Sequence, residues 1–346
     1  MNLIHKISGL RQMPSILGER IYFIDRKSEK LIALDKKTFD IAFHLDDKIP
    51  SLSIFQNLIL CYGLNIYNLE GSKIYSGDAQ YSYENVYFES LTLWKLVDNE
   101  KETVSYHVFD TVHMSFNKKD IVLGAVPFLF LDKYVFTRKA QIITCKNIES
   151  DTTLWQFDIS QFGTYKDKKI FTDKDPEVRQ REINRVYYYN NKIIITLSRA
   201  IIALNPDNGE LLWKIDFENY DPVNLLFDGN IAYSGRLIYF AIIDIEKGIK
   251  LFEKDFDPAY RFEVEGFKLS QIRYIGLTLH ENHLWFTHED KGHQFLLKAN
   301  PQNGDIINGM LLETKLSTYP PLFDENRMYL LDQEGVLWIY EIDGND

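Results

Sequence analysis

A strand–turn–strand frame that recurs along the chain limits its fold more than any other feature. The clearest copy is Ile201-Ile202-Ala203-Leu204-Asn205-Pro206-Asp207-Asn208-Gly209-Glu210-Leu211-Leu212-Trp213-Lys214-Ile215-Asp216. Pro206 presets the φ of a tight turn, and Gly209 supplies the positive φ that closes it. Leu31 to Asp46 aligns on this segment without a gap, with Ala33 on Ala203, Asp35 on Asn205, Phe43 on Trp213 and Asp46 on Asp216. Ile243 to Asp255 places Gly248 on Gly209 and Phe252 on Trp213; Ile143 to Asp158 places Asn147 on Asn205 and Trp155 on Trp213. Leu296 to Asn308 repeats the turn as Asn300-Pro301-Gln302-Asn303-Gly304, with Asn308 where the others carry an aromatic. A short unit of this kind cannot bury its apolar surface alone and needs neighbouring copies to cover it.

A second strand pair precedes each copy. Before the clearest one lie Arg185-Val186-Tyr187-Tyr188-Tyr189, the hairpin turn Asn190-Asn191, and Lys192-Ile193-Ile194-Ile195-Thr196-Leu197. Four antiparallel strands per unit make one propeller blade. The expected fold is therefore all-β: a β-propeller with blades at 12–46, 50–76, 82–110, 125–159, 183–217, 222–256 and 272–313, and an incomplete one at 318–343. That gives eight blades, or seven if 82–110 is not one.

The Ala-x-Asp/Asn, turn, Gly-x-x-x-Trp pattern resembles the pyrroloquinoline-quinone-type (PQQ-like) propeller repeat. The resemblance implies that the aromatic docks between neighbouring blades as a spacer. It implies no quinone chemistry. Family enzymes that use the quinone bring an adjacent-cysteine disulfide, a calcium site and a catalytic aspartate. Here Cys61 and Cys145 are far apart, and the calcium ligands find no residue-by-residue match. No cofactor is expected.

The incomplete unit has strands at Pro320–Phe323, Arg327–Leu331 and Val336–Tyr340, and the sequence ends at Asp346 without a fourth. Leu3-Ile4-His5-Lys6-Ile7 resembles Leu211 to Ile215. Residues 1–9 are thus expected to complete the last blade, making 1–346 one domain and removing an exposed sheet edge.

Composition narrows the function classes. The net charge of −11 argues against general nucleic-acid binding, which needs a basic footprint. No run approaches the ~18 apolar residues that span a bilayer. The start, Met1 to Ile7, lacks the apolar stretch of a secretory signal, and the two cysteines read as buried thiols of a reducing compartment. The expected location is the cytoplasm, although a mature secreted chain would look the same. Oligomeric state leaves no mark on the sequence.

Loop lengths point to one end of the blades. In a four-stranded blade the B–C and D–A connections share a face, and the long connections, 110–123, 159–183 and 256–271, are of D–A type. The longest, with 160–182 as an insertion, is densely charged, and Pro176 to Asn184 suits a short helix with Pro176 in its first position. Long loops in a compact domain are usually functional or disordered. The candidate partner-binding residues on this face are Arg138, Lys139, Lys168, Lys169, Arg179, Arg199, Arg236, Tyr260, Arg261 and Phe262. Arg26, Lys27 and Lys291 add to a possible basic ring, opposed by Glu89, Glu289, Asp290 and Glu334. Ordinary solvated turn charge is the plainer explanation.

His280, His283, His288 and His293 suggest metal by composition. The strand Leu284–Thr287 separates the first pair from the second by roughly 13 Å, which argues against one four-histidine site; at most one pair could share a metal, and no metal is expected. No phosphate-cradling loop, nucleophile elbow or His-Glu-x-x-His occurs. No catalytic residue is assigned. The leading expectation is a non-enzymatic protein-binding propeller, in one version neutralising a toxin or effector as an immunity protein does. The alternatives are an enzyme or carbohydrate-binding propeller with its site over the central opening, and an assembly scaffold.

Overall fold

The computed structural model describes residues 1–49, 53–55, 57–61, 65–76, 92–98, 103–110, 115–123, 125–131, 133–167, 177–218, 220–236, 239–255, 261–269, 272–317 and 319–342. Strand β1 (Asn2–Ile7) opens the chain. Then come β2 (Ser15–Leu17), β3 (Arg20–Ile24), β4 (Lys30–Asp35) and β5 (Ile41–Lys48); β6 (Ser53–Phe55), β7 (Leu58–Cys61), β8 (Asn65–Asn68) and β9 (Lys73–Tyr75); and β10 (Thr92–Asp98), β11 (Thr103–Asp110) and β12 (Ser115–Val122). They are followed by β13 (Val126–Leu131), β14 (Tyr134–Lys139), β15 (Ile142–Asn147) and β16 (Thr152–Asp158), then by β17 (Thr164–Asp167) and β18 (Glu177–Gln180). Next are β19 (Ile183–Tyr189), β20 (Lys192–Leu197), β21 (Ala200–Leu204) and β22 (Leu211–Asp216), and β23 (Leu226–Asp228), β24 (Ile231–Arg236), β25 (Tyr239–Asp244) and β26 (Ile249–Asp255). The chain ends with β27 (Phe262–Val264), β28 (Phe267–Leu269), β29 (Ile275–His280), β30 (His283–Asp290), β31 (His293–Ala299), β32 (Ile306–Leu312), β33 (Leu322–Asp324), β34 (Arg327–Leu331) and β35 (Leu337–Glu341).

Each successive group of four is a sheet in chain order, and β10–β12 form a three-stranded sheet. The eight blades expected from the sequence thus appear in order, the third with three strands among the described residues. The last sheet runs β1-β35-β34-β33, with Asn2 opposite Glu341 and Ile7 opposite Leu337, so the N-terminal strand closes it as expected. Two compact units share these elements: residues 1–139, 145–153 and 324–346 form one, and residues 140–144 and 154–323 the other.

Three connections differ from expectation. Within 256–271 the described residues form the β27–β28 hairpin. The 110–123 segment contains strand β12 rather than a loop. Glu177–Gln180, expected in a short helix, is instead extended and pairs with Thr164–Asp167. A helix of so few residues is marginal in water, whereas pairing satisfies the facing backbone groups of both strands at once.

Middle strands such as β20, β21 and β25 are buried along almost their whole length, which is why their sequences are nearly unbroken apolar runs. The turn from the third to the fourth strand is built the same way each time. The side-chain oxygen of Asp35, Asn147, Asn205, Asp244 or Asn300 accepts a backbone N–H two residues on. The residue four positions after Asp35, Asn205, Asp244 or Asn300 donates its N–H back to that residue's carbonyl. It takes positive φ: Phe39 (62°), Gly209 (73°), Gly248 (67°) and Gly304 (69°). This is why Asn or Asp, then Gly, mark the repeat in sequence.

A planar side chain of the preceding sheet rests on that turn. A Cβ added to Gly209 would lie 2.5 Å from the Trp155 ring, one on Gly248 2.2 Å from Trp213, and one on Gly71 2.7 Å from Phe43. Both indoles also donate Nε1–H to the turn below, Trp155 to Pro206 at 2.9 Å and Trp213 to Ile245 at 3.1 Å. The last sheet inverts the residue types. His5 of the closing strand occupies the Trp213 position and stacks, at 4.2 Å and 2° between planes, on Phe39, which stands where Gly209 stands. Phe252 departs from the pattern. It packs near Phe240, and it is Phe240, with Tyr274, that lies against Gly304.

A β-bulge precedes the aromatic at the Trp213 position in strand after strand, whether or not that aromatic docks on the next turn. Ala203 pairs with Trp213 while Leu204 pairs with Leu211, and Ile242 pairs with Phe252 while Ile243 pairs with Lys250. Strand β5 shows the same shift before Phe43. The extra residue turns the aromatic out of the pleat toward the next sheet.

Gly248→Ala should therefore destabilise the protein by about 2–4 kcal/mol in chemical unfolding, because the methyl group collides with the indole. Gly292, also at positive φ but with nothing within 4 Å, should lose only about 1 kcal/mol on the same change. Deleting residues 1–9 should lower the unfolding midpoint sharply in a thermal melt, since β35 would become an open edge.

Candidate functional site

The second unit carries two hairpins at the end of its sheets where second and third strands meet. Between β16 and β19 the chain makes a short 3-10 helix (Ile159–Phe162), capped by the Asp158 carboxylate on the Ser160 N–H, and then the β17–β18 ribbon. Tyr165 pairs opposite Arg179, and Lys166 opposite Val178. Strand β18 is exposed along its whole length, and Val178 is 65% exposed. The ribbon is tied down at its base, where Gln141 donates to Gln180 at 2.9 Å and Arg181 donates to the Ser198 carbonyl and the Asp216 carboxylate.

Beneath the ribbon two guanidinium groups meet one carboxylate. Arg199 sits in the β20–β21 turn at φ 60° and is 4% exposed. Its N–H donates to Asp221 Oδ1 at 3.0 Å, and its Nε lies 3.5 Å from the same oxygen. Arg236, at the end of β24 and half exposed, approaches the other oxygen at 3.8 Å. The Tyr165 ring lies 5.9 Å from the Arg199 guanidinium. Asp216 likewise takes two cations, Arg181 at 2.9 Å and Lys214 at 2.7 Å. Within a protein of net charge −11, these named groups form a locally cationic patch. Tyr220 below it is buried, hydrogen-bonded to Ser234, and its phenol is pushed above the usual range by burial.

The second hairpin, β27–β28, is part of the core as much as of the surface. Val264 and Leu269 are buried in it, and Phe267 packs edge-on against Phe295. A cleft of about 130 Å³ opens beside it, with Phe267 and Phe295 in its lining and Lys268 and Lys291 at its edge.

The sequence candidates divide accordingly. Arg199 and Arg236 come together on Asp221, and Arg179 lies on the ribbon that covers them, ion-paired to Glu177 at 2.7 Å. Arg199 is a buried cation rather than a solvated turn residue. Arg138 and Lys139 end β14 and are exposed, and Arg261 is exposed just before β27. Phe262 is half-buried against the core. Lys168, Lys169, Tyr260 and Glu89 lie outside the described residues. Sequence reasoning missed Asp221, Tyr165 and Arg181. Asp221 follows a buried tyrosine in an irregular connection, and nothing local marks it as a hub.

The four histidines occupy separate environments. His280 stacks on Phe323 and His283 Nδ1 contacts the Glu281 carbonyl, while His293 lies against Phe267. His288 is 2% exposed, accepts the Arg273 N–H at Nδ1, and has no hydrogen-bond partner at Nε2 among the described residues. Cys145 is buried as a thiol.

No protein-family model and no curated protein matches the chain. Solved structures do. The computationally designed Ika8 protein is 13% identical over 98% of both chains with a TM-score of 0.61. The C-terminal WD40 domain of Sif2 is 7% identical, with 99% of this chain and 96% of that one covered and a TM-score of 0.58. BamB from Moraxella catarrhalis is 13% identical over 98% and 99%, with a TM-score of 0.44. The chain is a β-propeller. Likeness at such identity establishes the fold alone.

Burial lowers the His288 pKa from 6.5 to about 4, with Asp290 opposing the shift and Arg273 adding to it. Acidification protonates this imidazole first in the unfolded chain. Stability should fall from about pH 6.5 to about pH 4, by about 3 kcal/mol in all, and this contribution should level off below. His288→Asn keeps an acceptor for Arg273. In urea unfolding at pH 7 and pH 5 the variant should lose much of that dependence.

Proposed function

We propose that this propeller is a non-enzymatic binding protein that engages a protein partner through the hairpin-bearing end of its second unit. The observation that carries the reading is strand β18, solvent-exposed from end to end, with apolar Val178 at its middle and its base anchored to the sheet beneath. An exposed edge strand is a liability that proteins usually blunt, and a contact surface accounts for retaining one. Arg179 lies within it and Arg236 belongs to the cationic cluster on Asp221, and Arg-rich, partly apolar patches are typical of interface centres.

The PQQ-like repeat is the finer family reading, supported by the docked Trp155 and Trp213 and their turn glycines. The partner reading also has a finer form, neutralisation of a toxin or effector in the cytoplasm, as an immunity protein acts. The net charge of −11 supports it, since it draws a basic partner in at long range while the cationic patch fixes the docked register.

The test is capture from native extract by tagged protein, beside a variant with residues 164–180 replaced by a short Gly-Ser linker. A partner recovered by the parent and lost by the linker variant, at an unchanged unfolding midpoint, is the expected result. Arg236→Glu should weaken direct binding of that partner by about tenfold. Recovery of the same partners with and without the ribbon would overturn the proposal.

A further inference from the structure

The opposite end of the second unit holds a different kind of site. A cleft of about 390 Å³ opens where the Asn190-Asn191 turn of sheet β19–β22 meets the third-to-fourth-strand turn of sheet β23–β26. Asn190, Asn191, Lys192, Asn205, Trp213 and Glu246 line it, and Trp213 is half-buried. Its charges cancel locally: Lys192 pairs with Glu246, and Lys247 with Asp244 at 3.2 Å. The cleft therefore has no net field to draw an ion, and its recognition chemistry is hydrogen bonding beside an aromatic ring.

The amides are fixed in orientation and only partly used. Asn205 Oδ1 accepts the Asp207 N–H at 2.9 Å, and Asn191 Oδ1 accepts the Tyr188 hydroxyl at 2.9 Å. Both NH₂ groups remain as donors with no acceptor among the described residues. Asn190 has the reverse arrangement: its Nδ2 donates to Asn230 Oδ1 at 3.1 Å and to the Gly229 carbonyl at 3.4 Å, which leaves its side-chain Oδ1 to accept. Asn190 and Asn191 both hold positive φ, at 47° and 54°, so the turn that presents them is itself constrained. Two donors, one acceptor and an indole are thus held in place before any ligand arrives.

We propose that this cleft binds a neutral mono- or disaccharide. A pyranose has an apolar C–H face that packs on an indole and hydroxyls that each donate and accept, which matches both halves of the lining. The cleft's size lies in the range of small-molecule sites. An anionic ligand finds no unbalanced cation here, and an apolar one would leave the amides without partners. The site is independent of the hairpin end and of any protein partner there.

Saturation-transfer difference NMR on the full chain tests this, with methyl α-D-glucopyranoside, methyl α-D-mannopyranoside, methyl β-D-galactopyranoside, maltose and cellobiose as probes and glucuronic acid as the charged comparison. At least one neutral probe should receive transfer, strongest at its ring C–H protons, and bind at least as tightly as glucuronic acid. Asn191→Gly keeps the turn, because glycine accepts its φ, and removes the amide. Trp213→Phe places at this position the residue found at the corresponding Phe43 and Phe252. Each should weaken binding by about tenfold, and Lys268→Ala at the hairpin end should not change it. No transfer from the folded protein to any neutral probe, unchanged affinity in Asn191→Gly, or tighter binding of glucuronic acid would overturn the assignment.

Discussion

A flat side chain lying on the backbone of a tight turn is the contact on which the rest of this fold depends. Trp155 on Gly209 and Trp213 on Gly248 are each within a distance that leaves no room for a Cβ. Each indole also satisfies a carbonyl of the turn it covers, so packing and hydrogen bonding fix the same spacing. The turn must then have positive φ, which glycine adopts at least cost, and it must be held by an Asx oxygen, because a sliding turn would lose the contact. The His5–Phe39 stack shows that the geometry, rather than the residue pair, is what recurs. There a phenylalanine tolerates φ 62° and the histidine of the closing strand supplies the flat partner.

This explains what the sequence discloses. Turn residues and docked aromatics obey strict local rules, so the blades and the closing strand could be read directly. The bulge ahead of Trp213 could not, because Leu211 and Leu212 are both ordinary strand residues and only the pairing reveals which is extra. Strand β12 and the β17–β18 ribbon were also hidden. Their charged sequences satisfy a loop as well as a strand, and for the ribbon, pairing across a long connection leaves no local signature.

The candidate site was legible in part, for a related reason. Arginine at the turn between second and third strands looks solvent-exposed, and Arg138 and Arg236 are. Arg199 is not, since the ribbon's Tyr165 and the Asp221 carboxylate cover it. A buried cation is tolerable only with such a partner, so Arg199 and Asp221 are best understood together as the floor on which the ribbon rests. Charge lists taken from sequence cannot separate a floor from a surface.

The two ends of the second unit consequently obey different constraints. At the hairpin end, connections between sheets are free to lengthen, and variation there leaves the docking contact alone. At the other end the turns are fixed by the contact itself. Turn construction consumes one side of an amide such as Asn205 and leaves the other side without a partner among the described residues, in a cleft lined also by Trp213. Polar capacity next to an indole is thus a by-product of holding the sheets apart. A groove of this chemistry needs only that the surrounding residues, here Asn190, Asn191 and the Lys192–Glu246 pair, complete it without adding net charge.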